Sequence, residues 1–353
     1  MDVAQLYRYL PRLEDRLRAS YADAGKTAPA TLRPYLDLNR DFTLRGGKRF
    51  RAILVLAGYY IATGKDPRPV LDAAAAVEHF QSWMLIHDDI IDHAEERRGG
   101  VAVHRALAAA HRRESLGGSA DDYGVGIGIT LGDVEEPFTV GGLLAVKVPA
   151  AARLAALAEY VEMTRLTAYG QLLDIRNGTL APGAVSEVDV LDVHRLKSAV
   201  YTVSAPLKIG ALLGGARPTS LRDLESIATD LGVAFQLRDD VLGAGFDASE
   251  AGKSANDLIE GKRTLLVIRA WQTGKEPDRE CLRQVLGRPD ASPAELAAAR
   301  ETIRSTGSLA YSEERIAQLT NRALARLKRT RTIRSEAKPM IAELSDRLTR
   351  RRA

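Results

Sequence analysis

The most constraining feature of the sequence is an apolar segment, residues 70–91, that ends in closely spaced aspartates. Apolar residues recur along it at helical spacing, which predicts a long helix that continues to about Glu95. Residues four apart share a helix face, so Asp88 and Asp92 should lie side by side, with Asp89 about 100° further round the axis. Like charges at this spacing destabilise a helix by roughly a few tenths of a kcal/mol unless a cation lies between them. The segment therefore predicts a helix with a cation-binding end.

Two adjacent arginines, Arg97 and Arg98, follow this acidic end. Clustered carboxylate oxygens suit Mg2+, which is commonly bound through one or two carboxylates together with a substrate phosphate. Arginine is the side chain best shaped for bidentate contacts to phosphate. The pattern indicates a magnesium-dependent site for a phosphorylated compound. From these residues alone, a solvated acidic face followed by a basic helix end is the alternative.

A second acidic segment lies about 150 residues further along the chain. Residues 235–243 form another apolar helical run, and it contains the pair Asp239 and Asp240. Two such helices are expected to face each other across a cavity and to hold several Mg2+ ions around one polyphosphate, which would stabilise a departing diphosphate. The charged residues that follow the second run are Asp247, Lys253, Asp257, Lys262 and Arg263.

Composition limits the class of protein. At 353 residues the chain is within reach of one large all-helical domain, and aromatic residues make up only 5%, which favours helices over sheets. The single cysteine, Cys281, excludes an internal disulfide and fits a reducing compartment. The N-terminus lacks the apolar core of a signal peptide, and the longest apolar run, Ala52–Ala62, is too short to cross a bilayer. We expect a cytoplasmic protein.

The formal charge of +4 is mild, and much of the excess lies between Arg326 and Arg352. A nucleic-acid surface would interleave basic residues with stacking aromatics, which this tail lacks, so no nucleic-acid partner is expected. A solvated helix end is the favoured interpretation. At most, the tail makes a transient membrane-surface contact.

At its two acidic motifs the chain resembles the trans-isoprenyl diphosphate synthases of the polyprenyl synthetase family, of the short-chain type. The first motif of that family is Asp-Asp-x-x-Asp followed by Arg-Arg-Gly, and residues 88–99 match it in full. The second motif is matched by residues 236–240, with Gly243 where many members have a third aspartate. Asp247 is a candidate replacement for that carboxylate, and whether it serves is open.

The resemblance extends to two further segments. Residues 46–51 read Gly-Gly-Lys-Arg-Phe-Arg before an apolar helix, and backbone amides and the helix dipole at such a start favour anions. The family uses this lysine and last arginine, here Lys48 and Arg51, to bind the diphosphate of isopentenyl diphosphate. The pair Lys197-Ser198 matches the family's contact to the allylic diphosphate, although a lone helical lysine is usually solvated.

The resemblance implies a set of site residues, to which Gln81 is added because it stands where the family often has histidine. The expected Mg2+ ligands are Asp88, Asp92 and Asp239. The expected catalytic residues are Asp88, Asp89, Asp92, Arg97, Lys197, Asp239 and Asp240. The expected substrate-binding residues are Lys48, Arg51, Gln81, Arg97, Arg98, Lys197, Ser198, Gln236, Lys253 and Lys262.

The resemblance also implies an all-α fold, a single-domain helical bundle over residues 1–353 around a deep central cavity. The implied activity is that of a head-to-tail prenyltransferase, which condenses isopentenyl diphosphate with an allylic diphosphate with Mg2+ as cofactor. The family suggests a homodimer. Two alternatives stay open: a non-catalytic partner subunit of a heteromeric synthase, and a class I terpene cyclase, which would lack the segment at residues 46–51.

Product length is expected to depend on Trp83 and Met84, which lie about one helical turn before Asp88. A tryptophan there is bulky enough to form the floor of the pocket in which the product grows. The first motif lacks the two-residue insertion of one bacterial farnesyl-forming type, so a geranylgeranyl product is favoured over a farnesyl product. The alternative is that Trp83 packs against a neighbouring helix or a dimer interface.

Elsewhere the pattern gives a coarse map of helices and loops. An amphipathic helix is predicted over Met1–Ala24, a glycine-rich loop over Arg112–Gly128, and a helix over Ala150–Arg176. No strand alternation or internal repeat stands out. Helix-starting caps are predicted at Ser186–Asp189, Ser220–Asp223 and Ser292–Glu295.

Overall fold

A computed structural model describes residues 1–246 and 256–349, so Asp247, Lys253 and residues 350–353 lie outside the described ranges. The described residues are almost entirely helical, which confirms the all-α class. In chain order the α-helices are α1 Val3–Tyr7, α2 Leu10–Thr27, α3 Arg33–Leu44, α4 Phe50–Thr63, α5 Leu71–Ile91, α6 Val103–Arg113, α7 Ala120–Ala145, α8 Ala150–Thr179, α9 Glu187–Val193, α10 Ala205–Leu213, α11 Pro218–Gly243, α12 Asn256–Ile259, α13 Leu265–Thr273, α14 Glu276–Arg283, α15 Pro293–Ser305, α16 Ser308–Arg329 and α17 Lys338–Thr349.

The described residues also contain a π-helix, a short hairpin and single 3-10 turns. A π-helix, His194–Ser204, joins α9 to α10, and a two-stranded antiparallel hairpin, β1 Glu96–Arg97 and β2 Gly100–Val101, follows α5. Within residues 1–246 and 256–349, no helix is both long enough and apolar enough to cross a bilayer. Single 3-10 turns lie at Ala30–Leu32, Arg68–Val70, Pro182–Ala184 and Ser335–Ala337.

The chain divides into two compact units, and the grouping of residues 1–353 into one prenyltransferase domain stays a prediction. Residues 1–158 and 206–216 form the first unit, and the remainder forms the second. In the first unit α4 and α10 pack without room for side chains between them, because a Cβ at Gly58 would overlap Leu207 O and a Cβ at Gly210 would overlap Val55 O. In the second unit α11, α13 and α16 share one apolar core.

The helix α5 starts within one residue of its predicted start, but its predicted continuation to Glu95 is wrong. The backbone of His93 is left-handed, at φ +52°. Its N–H donates to Ile90 O at 3.3 Å, and the N–H of Ala94 donates to Asp89 O at 2.9 Å. This pair of bonds is the Schellman helix ending, which glycine usually makes. The first acidic motif therefore lies at the carboxyl end of α5 rather than inside a longer helix.

The predicted loop over Arg112–Gly128 is also wrong, because only residues 114–119 lie between α6 and α7. Two of the glycines that suggested a loop lie where α7 meets other helices. A Cβ at Gly124 would overlap His104 O, and a Cβ at Gly128 would lie 3.0 Å from Ile90 Cδ1. Glycine costs a helix about 1 kcal/mol relative to alanine. Here close packing of α7 offsets that cost.

The predicted helix over Met1–Ala24 is divided into α1 and α2. The break follows from Pro11, which lies in the first turn of α2, where its missing N–H and fixed φ are tolerated. The cap predicted at Ser220–Asp223 is wrong for a similar reason, since α11 starts earlier, at Pro218. Ser220 Oγ instead donates to Thr332 O at 2.8 Å. The caps predicted at Ser186–Asp189 and Ser292–Glu295 are confirmed as capping boxes.

Candidate active site

The carboxyl end of α5 carries two half-buried aspartates, Asp88 and Asp92. Asp92 is the C-cap residue, and its backbone N–H donates to Asp88 O at 2.8 Å, so the two residues lie one helical turn apart. The helix macrodipole places partial negative charge at this end. Two carboxylates here oppose both the dipole and each other, and a cation would relieve both.

The remaining aspartate of the first motif, Asp89, is buried and is held by Arg97. Arg97 Nε donates to Asp89 Oδ1 at 2.6 Å, and Arg97 Nη2 lies 2.5 Å from the same oxygen. Burial raises the pKa of Asp89, and the neighbouring Arg97 opposes that rise. Burial lowers the pKa of Arg97, but Asp89 outweighs it, so the net shift is upward. Asp89 therefore fixes the guanidinium that follows the motif.

The hairpin after α5 was not predicted from the sequence. Arg98 and Gly99 form its two-residue loop with φ of 55° and 72°, the backbone of a type I′ turn. Arg45 Nη1 braces the hairpin by donating to Val101 O at 3.0 Å. A Cβ at Gly100 would overlap the Arg45 guanidinium, so this contact needs glycine there. The consecutive glycines after Arg98 were the available signal for the turn.

Beside the hairpin, the amino end of α4 and Arg98 form a cationic cluster. The pKa of Arg98 is lowered to about 10, chiefly by burial; Glu78 opposes this shift, whereas Arg49 and Arg51 contribute to it. Gly47 lies against the Arg98 guanidinium, whose Cζ would be 3.8 Å from a Cβ there. The structure thus brings Arg98 within electrostatic reach of Arg51. Arg49 and Glu78 were absent from the predicted site, although Arg49 directly follows Lys48 and Glu78 precedes Gln81 by three residues.

Two other predicted residues lie on or next to the same elements. Lys48 is exposed, and it immediately precedes the N-cap residue of α4. Gln81 is buried on α5, and its Oε1 accepts no hydrogen bond within the described part of the chain. A buried amide oxygen without a donor is costly, which makes Gln81 a candidate for contact with a bound molecule or water.

Trp83 packs along α5 and against α7. Its ring meets Phe80 edge to face with centroids 5.8 Å apart, and a Cβ at Gly132 on α7 would lie 3.3 Å from Trp83 Cδ1. Met84, beside it, is half-buried. The contact with Gly132 matches the packing alternative, and the effect of Trp83 and Met84 on product length stays a prediction.

In the second unit the predicted aspartates lie in the last turns of α11. Asp240 is buried; its Oδ1 accepts from Gln236 Nε2 at 2.9 Å, and its Oδ2 lies 3.0 Å from His194 Nε2. Asp239 is half-buried. His194 was not predicted, and it starts a π-helix, an element that occurs often at functional sites.

Gly243 is the place where the family motif often has a third aspartate, and a carboxylate from elsewhere fills that space. A Cβ at Gly243 would overlap Asp257 Oδ2. The pKa of Asp257 is raised to about 7, chiefly by burial; Lys262 opposes this rise and Asp240 adds to it. Lys262 Nζ lies 3.5 Å from Asp257 Oδ1 and 2.5 Å from Glu260 Oε2. The candidate replacement Asp247 lies outside the described residues.

The predicted pair Lys197 and Ser198 lies in the π-helix. Lys197 Nζ donates to Asp174 Oδ2 on α8 at 2.6 Å, and Ser198 is buried. Gly170 permits this approach, because a Cβ there would overlap the backbone N of Lys197. Lys197 is therefore a fixed, half-buried cation instead of a solvated one.

The donor set is compatible with Mg2+. Among the described residues, no three His, Cys, Asp or Glu side chains converge in a closed metal site. The pair Asp88 and Asp92 instead offers an open, all-oxygen site at the end of a helix. Mg2+ typically binds in this way, keeping several waters and sharing its remaining coordination with substrate phosphate.

A family model described as polyprenyl synthetase matches residues 34–303. The chain belongs to the polyprenyl synthetase family. It is 33% identical to the short chain isoprenyl diphosphate synthase of Methanothermobacter thermautotrophicus, over 82% of this chain and 81% of that protein. It is 30% identical to the geranylfarnesyl diphosphate synthase of Natronomonas pharaonis, over 87% and 86% of the two chains.

A solved structure extends the similarity to the whole chain. The geranylgeranyl pyrophosphate synthase of Corynebacterium glutamicum, complexed with isoprenyl diphosphate and magnesium, is 34% identical, covers 100% of both chains and has a TM-score of 0.91. These similarities establish this polyprenyl synthetase as an enzyme that transfers prenyl groups. They also confirm the resemblance inferred from the two aspartate motifs.

Replacing Gly243 with alanine should displace Asp257 and lower the free energy of unfolding by about 1–3 kcal/mol, because the added methyl overlaps a buried carboxylate. Thermal unfolding measures this change. Gly25→Ala in α2 is the matched control, since nothing lies within 4 Å of a Cβ there. In the double variant Gly243→Ala/Asp257→Ala the methyl has room, so the losses should be less than additive. Strict additivity would show that the two positions do not compete for space.

Proposed function

We propose that this enzyme condenses isopentenyl diphosphate with an allylic diphosphate, head to tail, and forms geranylgeranyl diphosphate in preference to farnesyl diphosphate. The observation that carries the proposal lies in the first unit, where Asp88 and Asp92 end α5 and Arg98 lies within electrostatic reach of Arg51. Similarity to a synthase solved with isoprenyl diphosphate and magnesium supports it. We place the enzyme in the cytoplasm, which its single cysteine favours.

Asp88, Asp92 and Asp239 are the proposed Mg2+ ligands. Bound Mg2+ would supply positive charge that stabilises the departing diphosphate. Asp89 contributes by holding Arg97 at 2.6 Å, and Asp240 is held in turn by Gln236. The aspartates of the two motifs thus divide into those proposed to bind Mg2+ and those that form hydrogen bonds to neighbouring side chains.

The cations of the chain position the two substrates. The allylic C–O bond breaks and its electron pair leaves with diphosphate; the isopentenyl double bond then forms the new C–C bond, and a proton passes to the released diphosphate. No side-chain nucleophile is required, so catalysis consists of positioning and electrostatic stabilisation. Proposed contacts to isopentenyl diphosphate are Lys48, Arg51, Gln81 and Arg98. Proposed contacts to the allylic diphosphate are Arg97, Lys197, Ser198, Gln236, Lys253 and Lys262.

Purified protein incubated with Mg2+, labelled isopentenyl diphosphate and each allylic primer in turn should give a discrete product by chromatography. Asp88→Asn or Asp92→Asn should lower kcat by about 100-fold or more, because each removes a charge that stabilises the transition state. Asp121→Asn is the control, since this exposed carboxylate pairs only with Arg112 in the described contacts. No product with any primer would favour a partner subunit. A cyclised hydrocarbon from the primer alone would favour a terpene cyclase.

Trp83→Ala should lengthen the product if Trp83 forms the floor of the elongation pocket, because removing the indole opens space one turn below Asp88. Chromatography of dephosphorylated products measures the change. Trp271→Ala is the matched control, since this second tryptophan lies in the other unit under Arg283. An unchanged length in Trp83→Ala would show that the residue serves only to pack α5 against α7.

We further propose a homodimer, supported by an exposed stripe on α8. Val161, Leu172 and Ile175 are 63%, 66% and 46% exposed. Together with Arg165 and Ala168 they recur at alternating spacings of four and three, the pattern of a seam between helices. A monomer has no reason to leave such a stripe in water, and a second copy would present an identical, self-complementary stripe.

Leu172→Glu should convert the dimer to a monomer, because it replaces an exposed leucine of the stripe with a charged side chain. Light scattering after size exclusion gives the mass. Val188→Glu is the control, as Val188 is 67% exposed and belongs to α9 rather than to α8. A dimeric mass for Leu172→Glu would exclude α8 as the interface, and a monomeric wild type would exclude the homodimer.

A further inference from the structure

The loop before α4 ends in a strained, buried arginine. Arg49 is the N-cap residue of α4; its backbone is left-handed, at φ +49°, and it is 3% exposed. Its Nη1 donates to Glu78 Oε2 at 3.3 Å, while Nε and Nη2 are buried and donate to no atom of the described residues. Non-glycine residues adopt this backbone at an energetic cost, and only where the surroundings fix it.

Glu78 supplies the fixing contact from a different helix. Its Oε1 accepts the backbone N–H of Ala52, in the first turn of α4, at 3.1 Å. Such first-turn N–H groups have no partner within the helix, and α4 has no side-chain cap of its own. Glu78, which is 4% exposed on α5, therefore caps α4 with one oxygen and binds Arg49 with the other.

The same carboxylate is the counter-charge of the cationic cluster. Glu78 raises the pKa of Arg98 after burial has lowered it, whereas Arg49 and Arg51 lower it. Several guanidinium groups thus surround one buried carboxylate, and the cluster keeps a positive excess. An arrangement of this kind holds its cations in place before an anion arrives, which reduces the reorganisation needed on binding.

We propose that Glu78 and Arg49 are positioning residues of the isopentenyl diphosphate site. They lock the amino end of α4 onto α5, and with it the neighbouring Lys48 and Arg51, at a fixed distance from Gln81 one turn along α5. The inference rests on the proposed function for the identity of the ligand. Neither residue needs to touch the substrate.

Glu78→Gln tests the proposal, because the amide oxygen can still accept from Ala52 N–H but the charge facing Arg49 is lost. Binding is measured by calorimetry with isopentenyl diphosphate alone, which has no allylic partner with which to react. We expect the affinity to fall by about tenfold to 100-fold, since misplacement by 1 Å can cost about that much. In steady-state assays the KM for isopentenyl diphosphate should rise, and the KM for the allylic primer should not.

Asp230→Asn is the matched control. Asp230 is also a buried carboxylate paired with arginine, since Arg322 Nε donates to its Oδ2 at 2.8 Å, and it belongs to the second unit. It should leave binding unchanged while lowering thermal stability comparably. If Glu78→Gln fails to fold, Glu78→Gln/Arg49→Met removes both buried charges and should fold but bind weakly.

Wild-type affinity in the folded Glu78 variants, or an equal rise in both KM values, would overturn the proposal. Failure of the proposed function looks different: the wild-type protein itself would then bind no isopentenyl diphosphate. In that case the Glu78 variants would report only on thermal stability, and the positioning role of the Glu78–Arg49 pair for this substrate would be rejected.

Discussion

The helices α5 and α11 both end in aspartates, where the helix dipole and mutual repulsion disfavour negative charge. Each unit holds one of these carboxylates with its own side chains. Arg97 holds Asp89 in the first unit, and Gln236 and His194 hold Asp240 in the second. Asp88, Asp92 and Asp239 remain only half-buried. In the first unit, a divalent cation would relieve the repulsion between the two carboxylates at the end of α5.

The first unit also contains a concentration of positive charge. The amino end of α4 and the hairpin after α5 bring together guanidinium groups that repel one another, with Glu78 as their buried counter-charge. A diphosphate with bound Mg2+ presents both signs of charge. Under the proposed function, this one ligand relieves both the acidic and the basic excess, and α5 carries Glu78, Gln81 and the aspartates on a single element.

The sequence was sufficient where local rules decide the structure. The start of α5 and the capping boxes at Ser186 and Ser292 depend on neighbours within a few residues, and they were predicted correctly. The end of α5 and the helical nature of residues 120–128 were not predicted. The left-handed backbone of His93 ends α5 at a residue other than the usual glycine, and Gly124 lies in a helix where His104 O leaves no room for a side chain.

The site residues divide in the same way. Motif spacing identified Lys197, Arg97 and Asp240, but it could not name Asp174, Asp89 or His194 as the groups that fix them, because a pairing across elements has no spacing in the sequence. Gly243 shows the consequence most directly. Judged by the motif alone, glycine at this position means that a carboxylate is missing. In the folded chain, Asp257 Oδ2 occupies the space that a side chain at Gly243 would fill. The carboxyl group at that place therefore comes from α12 instead of α11, so the departure from the motif changes which residue supplies it.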